Sequence, residues 1–441
     1  MRYLSTRGGR ETDLVSAVMQ GLAPDGGLFV PDELPHFDPE SIEGETLAEI
    51  AAELLRPFFA GSPLEPELAA ICEDALNFSV PLTRLQDPPN SLAVLELFHG
   101  PTAAFKDIGA RFLAAVMERA IPLLGDDDRP LTILVATSGD TGGAVAAAFH
   151  GRAKLRVGVL FPKGQVSERQ QHQLTCWGGN VRSFEVDGSF DDCQALLKAA
   201  LTDPVLSRRH RFSSANSINV GRLLPQVAYH AACSLWHWRE HGSAAGHIVP
   251  TGNLGNGLAC VWARAMGMPI REVVLSVNSN LTIPEHLATG KWQPRPSVRT
   301  LASAMDVGDP SNMERLFHML PDFAEVRSTI QAYPVDDEAI RAQIKQDDRR
   351  FGRVWCPHTA TGFRVYDNLA QAQRAGRSWI VCATAHPAKF ESITEAATGH
   401  SVPVPASLQG LLERPVEHVA LPPELDALAA ELERWDVHTQ E

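Results

Sequence analysis

The chain has 441 residues, enough for two or three domains with ample core volume. Apolar residues make up 44% and charged residues 21%, the balance of a globular protein rather than a disordered one. A formal net charge of −14 argues against a nucleic-acid or acidic-membrane partner, because no basic excess is present to neutralise phosphates; one pocket can still be locally positive.

The segment from Met1 to Arg10 lacks the apolar run of a secretory signal, and no apolar stretch is long enough to span a bilayer. Seven cysteines are scattered without a C-x-x-C pair, so reduced thiols in a cytoplasm are expected. Cys356 and His358 lie close together, but two ligands do not make a metal site, and no metal is expected.

In chain order, Leu22 to Pro31 reads as a Pro/Gly-punctuated loop feeding a short strand, and Leu47 to Phe58 has the apolar spacing of a helix. Asp87-Pro88-Pro89-Asn90 marks a boundary before a strand from Leu92 to Leu97. The pattern then alternates. Strands are predicted over Leu131–Ala136, Leu155–Phe161 and Val181–Val186, with helices from Gly143 to Phe149, Ser167 to Cys176 and Phe190 to Leu201. His247–Val249 leads into a loop and a helix from Gly257 to Met266, followed by strands at Val273–Val277 and Trp379–Ala383. Residues from about 278 to 353, with Pro284, Pro294, Pro296 and Pro310, read as an irregular insertion. Such alternation predicts an α/β fold of parallel sheets covered on both faces, with ligand loops at one end of the strands.

Five segments carry the chemistry. Lys106 lies in His99-Gly100-Pro101-Thr102-Ala103-Ala104-Phe105-Lys106-Asp107, beside an aromatic ring and ahead of an apolar helix. Partial burial there lowers a lysine pKa, as an amine that must form a Schiff base requires; a solvated lysine capping a helix is the alternative. Thr251-Gly252-Asn253-Leu254-Gly255-Asn256-Gly257 joins a strand to a helix, and its glycines let successive N–H groups converge on a phosphate. It lacks the Lys-Ser/Thr end of a P-loop and the spacing of a dinucleotide fingerprint. Thr137-Ser138-Gly139-Asp140-Thr141-Gly142-Gly143 offers hydroxyls to a carboxylate or a second phosphate. Its likeness to a serine-protease nucleophile segment is opposed by the alternating βα pattern and the odd cysteine count. Ser213 to Arg222 gathers amides, hydroxyls and one guanidinium suited to a substrate phosphate, with an Asn/Ser-rich turn as the alternative. Thr384-Ala385-His386-Pro387-Ala388-Lys389-Phe390 follows the last strand, with a solvated loop as the plain reading of His386 and Lys389.

Together with Tyr3 to Gly8, Gly21 to Leu28, Ser217 to Gln226, Ala304 to Asn312 and His358-Thr359-Ala360-Thr361-Gly362, these segments resemble the threonine synthase family, bacterial and fungal branch. The resemblance implies the pyridoxal-phosphate fold type II (tryptophan-synthase-β-like), with two parallel-sheet lobes and an added N-terminal domain. It implies an N-terminal unit over 1–82, a catalytic region over 83–400 and a C-terminal segment over 401–441. Lys106 would hold pyridoxal 5'-phosphate and move protons, with Phe105 packed near the ring. Gly252, Asn253, Leu254, Gly255 and Asn256 would bind the cofactor phosphate, Asp140 would lie near the ring hydroxyl, and Thr384 would face the pyridine nitrogen. Ser138, Thr141, Asn216 and Arg222 would bind the substrate's carboxylate and phosphate. The implied reaction converts O-phospho-L-homoserine and water to L-threonine and phosphate by γ-elimination and β-addition, in a monomer or homodimer. A dehydratase or phospholyase on the same fold, and an inactive cofactor carrier, are the alternatives.

Overall fold

The computed structural model describes residues 1–86, 91–125 and 129–438. The boundary expected at Asp87–Asn90 lies outside the described residues. Near the N-terminus, β1 (Tyr3–Ser5) and β2 (Phe29–Pro31) pair antiparallel, and β2 is the short strand expected after the Gly-rich loop. The helix Leu47–Phe59 starts where Thr46 and Glu49 form a reciprocal capping box. It buries Ile50, Ala51, Leu54, Leu55, Phe58 and Phe59, one stripe at helical spacing, and Phe59 meets Phe112 edge-on at 6.2 Å.

The larger sheet takes β3 (Leu82–Gln86) and β4 (Leu92–Glu96) before the chain leaves it. The smaller sheet is then built from β5 (Leu131–Ala136), β6 (Leu155–Pro162), β7 (Val181–Val186) and β8 (Arg211–Ser214). The chain returns through the long helix Val220–His241 to add β9 (Ala245–Pro250), β10 (Ile270–Val277), β11 (Ile330–Pro334) and β12 (Trp379–Ala383) to the larger sheet. Finally β13 (Val419–Leu421) joins the smaller sheet. The larger sheet runs β11-β10-β9-β12-β4-β3 and the smaller β13-β7-β6-β5-β8. Every pairing in both is parallel except β3 with β4. Strands β4, β5, β6, β9 and β12 are buried along their whole length, as sheets covered on both faces require. The α/β fold with two parallel-sheet lobes is therefore as expected.

Two expectations need correction. The helix expected from Gly143 runs Asp140–Phe149, because the Thr137 hydroxyl oxygen accepts from the N–H groups of Gly139 (3.0 Å) and Gly142 (2.9 Å) and starts the turn early. Residues 278–353 are not irregular throughout: they include helices Thr282–Thr289, Met313–Met319, Phe323–Thr329 and Asp337–Phe351, and β11 pairs in parallel with β10. Prolines hid this order. Pro284 sits in a first helical turn, where its missing N–H costs nothing, and Pro334 ends an edge strand.

Candidate active site

The site forms where both sheets present their C-terminal strand ends. In the larger sheet β4, β12 and β9 are neighbours, so the loops after them meet. Lys106 opens the helix Lys106–Ala120 after β4. The N–H of Phe105 donates to the Thr384 carbonyl at 2.7 Å, and Ala104 bridges Ala385, which ties the loops after β4 and β12 together. The loop after β9 supplies Gly252 to Asn256. These residues share a cavity: Phe105, Lys106, Asp140, Arg222, Gly252 to Asn256 and Thr384 all line it, as does His358. In the smaller sheet β5 and β8 are neighbours, so the Thr137–Thr141 loop meets Asn216. Ser138, Thr141 and Asn216 face a second cleft, whose other wall includes Lys106 and Asn253. The amine of Lys106 thus stands at the junction of the two spaces.

Lys106 Nζ donates to Thr141 Oγ1 at 2.9 Å and lies 5.2 Å from the centre of the Phe105 ring. Burial, with the Arg222 guanidinium second, pulls its pKa from 10.5 to about 8 against the opposing pull of Asp140. The neutral, nucleophilic amine therefore dominates above about pH 8. Cofactor capture by the cofactor-free protein should slow roughly tenfold for each pH unit below that. Stopped-flow absorbance across pH 6 to 9 measures it, and a flat profile would contradict the assignment.

Around the loop after β9, Leu254 holds a left-handed φ of 61° and no side chain caps the helix Gly255–Ala265. Gly255 and Asn256, at its start, line the cavity, as an anion cradle requires. A Cβ on Gly255 would project toward Asn312 Nδ2 (3.6 Å) and Gln226 Nε2 (3.8 Å), a niche lined by amide donors. Donors, an uncapped helix start and the absence of side-chain bulk fit the phosphate of pyridoxal phosphate. Asn253 Nδ2 donates to Ser217 Oγ at 2.6 Å, and its Oδ1 accepts from the Ser311 N–H. Asn256 turns inward: its Oδ1 accepts from Tyr229 and its Nδ2 donates to the Pro250 carbonyl. A Cβ on Gly252 would stand 2.6 Å from Met305 Cα. Gly252→Ala should push the loop off its backbone support at a cost of about 1–3 kcal/mol and loosen cofactor binding, read as a raised cofactor dissociation constant.

Three residues depart from their expected settings. Lys389 is not solvated: it is fully buried, pairs with Asp140 Oδ1 at 2.8 Å and donates to the Thr102 carbonyl at 2.7 Å. Burial alone would raise the Asp140 pKa, but Lys389, with help from Gln170, holds it at about 2. Asp140 therefore presents an ionised, acceptor-only group to the cavity. Arg222 lies on the inner cavity, not in the cleft with Ser138, Thr141 and Asn216. It is 2% exposed, donates to the Ala215 carbonyl, and leaves its Nε without a partner among the described residues. His386 is held by its own loop and a neighbouring ring: its Nδ1 accepts from the Ala388 N–H at 3.2 Å and its ring meets Phe98 edge-on. Thr384 sits as expected at the end of β12, its hydroxyl 3.9 Å from Cys356 Sγ. Reading the sequence gave no role to His358, Ser217 or Gln226. The His358-Thr359-Ala360-Thr361-Gly362 string was the available signal for the first.

Two parallel lobes with a partly buried lysine at strand ends and an anion cradle beside it define a pyridoxal-phosphate-dependent enzyme. Residues 79–384 match the family model described as "Pyridoxal-phosphate dependent enzyme". The chain belongs to the threonine synthase family: residues 2–76 match "Threonine synthase N terminus" and residues 359–432 "Threonine synthase, C-terminal". It is 34% identical to a threonine synthase of Serratia marcescens over 93% of this chain and 94% of that protein. The crystal structure of PLP-bound threonine synthase from Brucella melitensis superposes with a TM-score of 0.90 at 33% identity, covering 98% of this chain and 99% of that one. The Escherichia coli threonine synthase structure gives 0.87 at 32% identity, covering 98% of this chain and 100% of that one.

Proposed function

We infer that this chain converts O-phospho-L-homoserine and water to L-threonine and phosphate. The observation that carries the reading is the Lys106 amine, placed between a phosphate-cradling cavity and a cleft rich in hydroxyls. Pyridoxal phosphate, when bound, supplies an aldehyde to condense with an amine and a ring that takes up the electrons left by α-proton loss. The chain's own residues supply the rest. Lys106 Nζ, once displaced by the substrate amine, takes the proton from Cα; a Cβ proton is then lost and phosphate leaves Cγ, and the same amine is at hand to return a proton at Cγ and, after water adds at Cβ, at Cα. Ser138, Thr141 and Asn216, in the cleft, and Arg222, on the inner cavity, are read as donors to the substrate's two anionic ends. Gly252 to Asn256 are read as the cofactor-phosphate loop, and Asp140 as the partner of the ring hydroxyl. A hydroxyl at Thr384, unlike a carboxylate, does not hold a proton on the ring nitrogen, so more of the proton placement falls to Lys106.

The division at residues 82 and 400 goes with this reading; the family models change over between residues 76 and 79, near the first boundary, while the C-terminal model at 359–432 runs across the second. No helix among the described residues is long and apolar enough to cross a membrane. All seven cysteines are buried free thiols, which supports a reducing compartment such as a cytoplasm. Phosphate release from O-phospho-L-homoserine, with threonine measured in parallel, tests the assignment. Equal yields of the two products are expected. Ammonia and a keto acid in place of threonine would overturn it in favour of a lyase without water addition.

A further inference from the structure

We propose that His358 is a further cofactor-positioning residue, whose Nδ1–H is held as a hydrogen-bond donor for an acceptor atom of bound pyridoxal phosphate. The proposal rests on the reading of Lys106 as the cofactor amine. His358 stands in the first turn of the helix Pro357–Asn368, a turn fixed where Cys356 Sγ accepts from the Thr359 N–H at 3.4 Å. Its ring is 3% exposed and packs against Phe390 with centroids 4.9 Å apart, so it cannot swing freely. Its Nε2 accepts from the backbone N–H of Ala304 at 3.0 Å. A ring nitrogen that accepts carries no proton, so the neutral imidazole must carry its proton on Nδ1.

The ring is neutral at ordinary pH. Burial, the largest influence, pushes its pKa down to about 4; Lys106 and Lys389 push the same way, and Asp140 opposes them. Nδ1 is buried and has no partner among the described residues. The same ring lines the cavity that holds Lys106, Asp140, Thr384 and the Gly252–Asn256 loop. A backbone amide thus sets the tautomer, and the remaining donor is left unsatisfied on a ring that lines the cofactor space. Buried donors without partners are rare in proteins, and a group that a ligand completes is one physical reason for keeping one.

Two substitutions separate the halves of the ring. His358→Asn keeps an N–H donor near the Nδ1 position but gives up the acceptor for Ala304. His358→Gln can offer an amide oxygen to Ala304 but removes the donor at Nδ1. The readout is the rate at which holoenzyme loses its visible cofactor absorbance after dilution, independent of turnover. We expect His358→Gln to release cofactor about tenfold faster than the parent and His358→Asn to stay within about threefold of it. Release from His358→Gln at the parental rate, or equal leakage from both variants, would overturn the proposal. In the second case the bond to Ala304 would be what matters. A parent whose absorbance borohydride cannot fix to residue 106 would instead overturn the Lys106 reading, and this proposal with it.

Discussion

Lys106→Ala should abolish threonine formation, lowering turnover by ~10³-fold or more, and should remove the visible absorbance that borohydride fixes in the parent. Two functions disappear together, because one nitrogen both holds the cofactor and moves the protons. The fold should survive. Among the described residues the side chain makes one hydrogen bond, to Thr141, and it stands at the rim of two open spaces rather than in the core. Circular dichroism and the thermal midpoint of the cofactor-free forms should therefore match. Added methylamine should restore a small part of the activity by standing in for the missing base. Normal turnover in this variant would remove the catalytic assignment.

The second large effect is on stability. Lys389→Met should cost about 3–5 kcal/mol, since it leaves the Asp140 carboxylate buried without its cation. Denaturant titration reads the loss. The acid profile should move with it. In the parent the Asp140 pKa is held at about 2, below the ordinary 3.8, so its contribution is present above about pH 3.8 and fades as pH falls toward 2. Without Lys389, burial dominates and the carboxyl takes up a proton nearer neutrality, so acid sensitivity appears at higher pH. Adding Asp140→Asn to the same chain should return part of the lost stability, because the stranded charge is gone. A double variant no more stable than the single one would show that the pair is not what holds this region.

The sequence made visible what is local. Lys106 before an apolar helix, glycines between a strand and a helix, and a threonine closing a strand are all written in a few consecutive residues. Strand pairing then brings those loops together without further instruction. Less legible were contacts that depend on a distant partner. Lys389 reads as a loop lysine because the Asp140 that neutralises it lies in the other lobe. Arg222 reads as a guanidinium near hydroxyls, and its depth shows only in the packing of Gly109 against its Nε (2.7 Å from a Cβ there). His358 gave no hint of its tautomer, which depends on the backbone of Ala304. The strand β11 was obscured for a different reason: edge strands are short, end in proline and bury only one margin.

The last strand has a consequence for how the molecule is made. β13 lies beside β7, and Leu421, Leu428, Leu432 and Trp435 pack with Phe184 and Leu196 of the smaller lobe. A ribosome delivers residues 131–214 long before residues 419–435, so this lobe emerges with one flank bare and waits for nearly the whole chain before it can close. Nascent chains halted in between would expose the margin of β7, an invitation to stray strands and a natural foothold for chaperones.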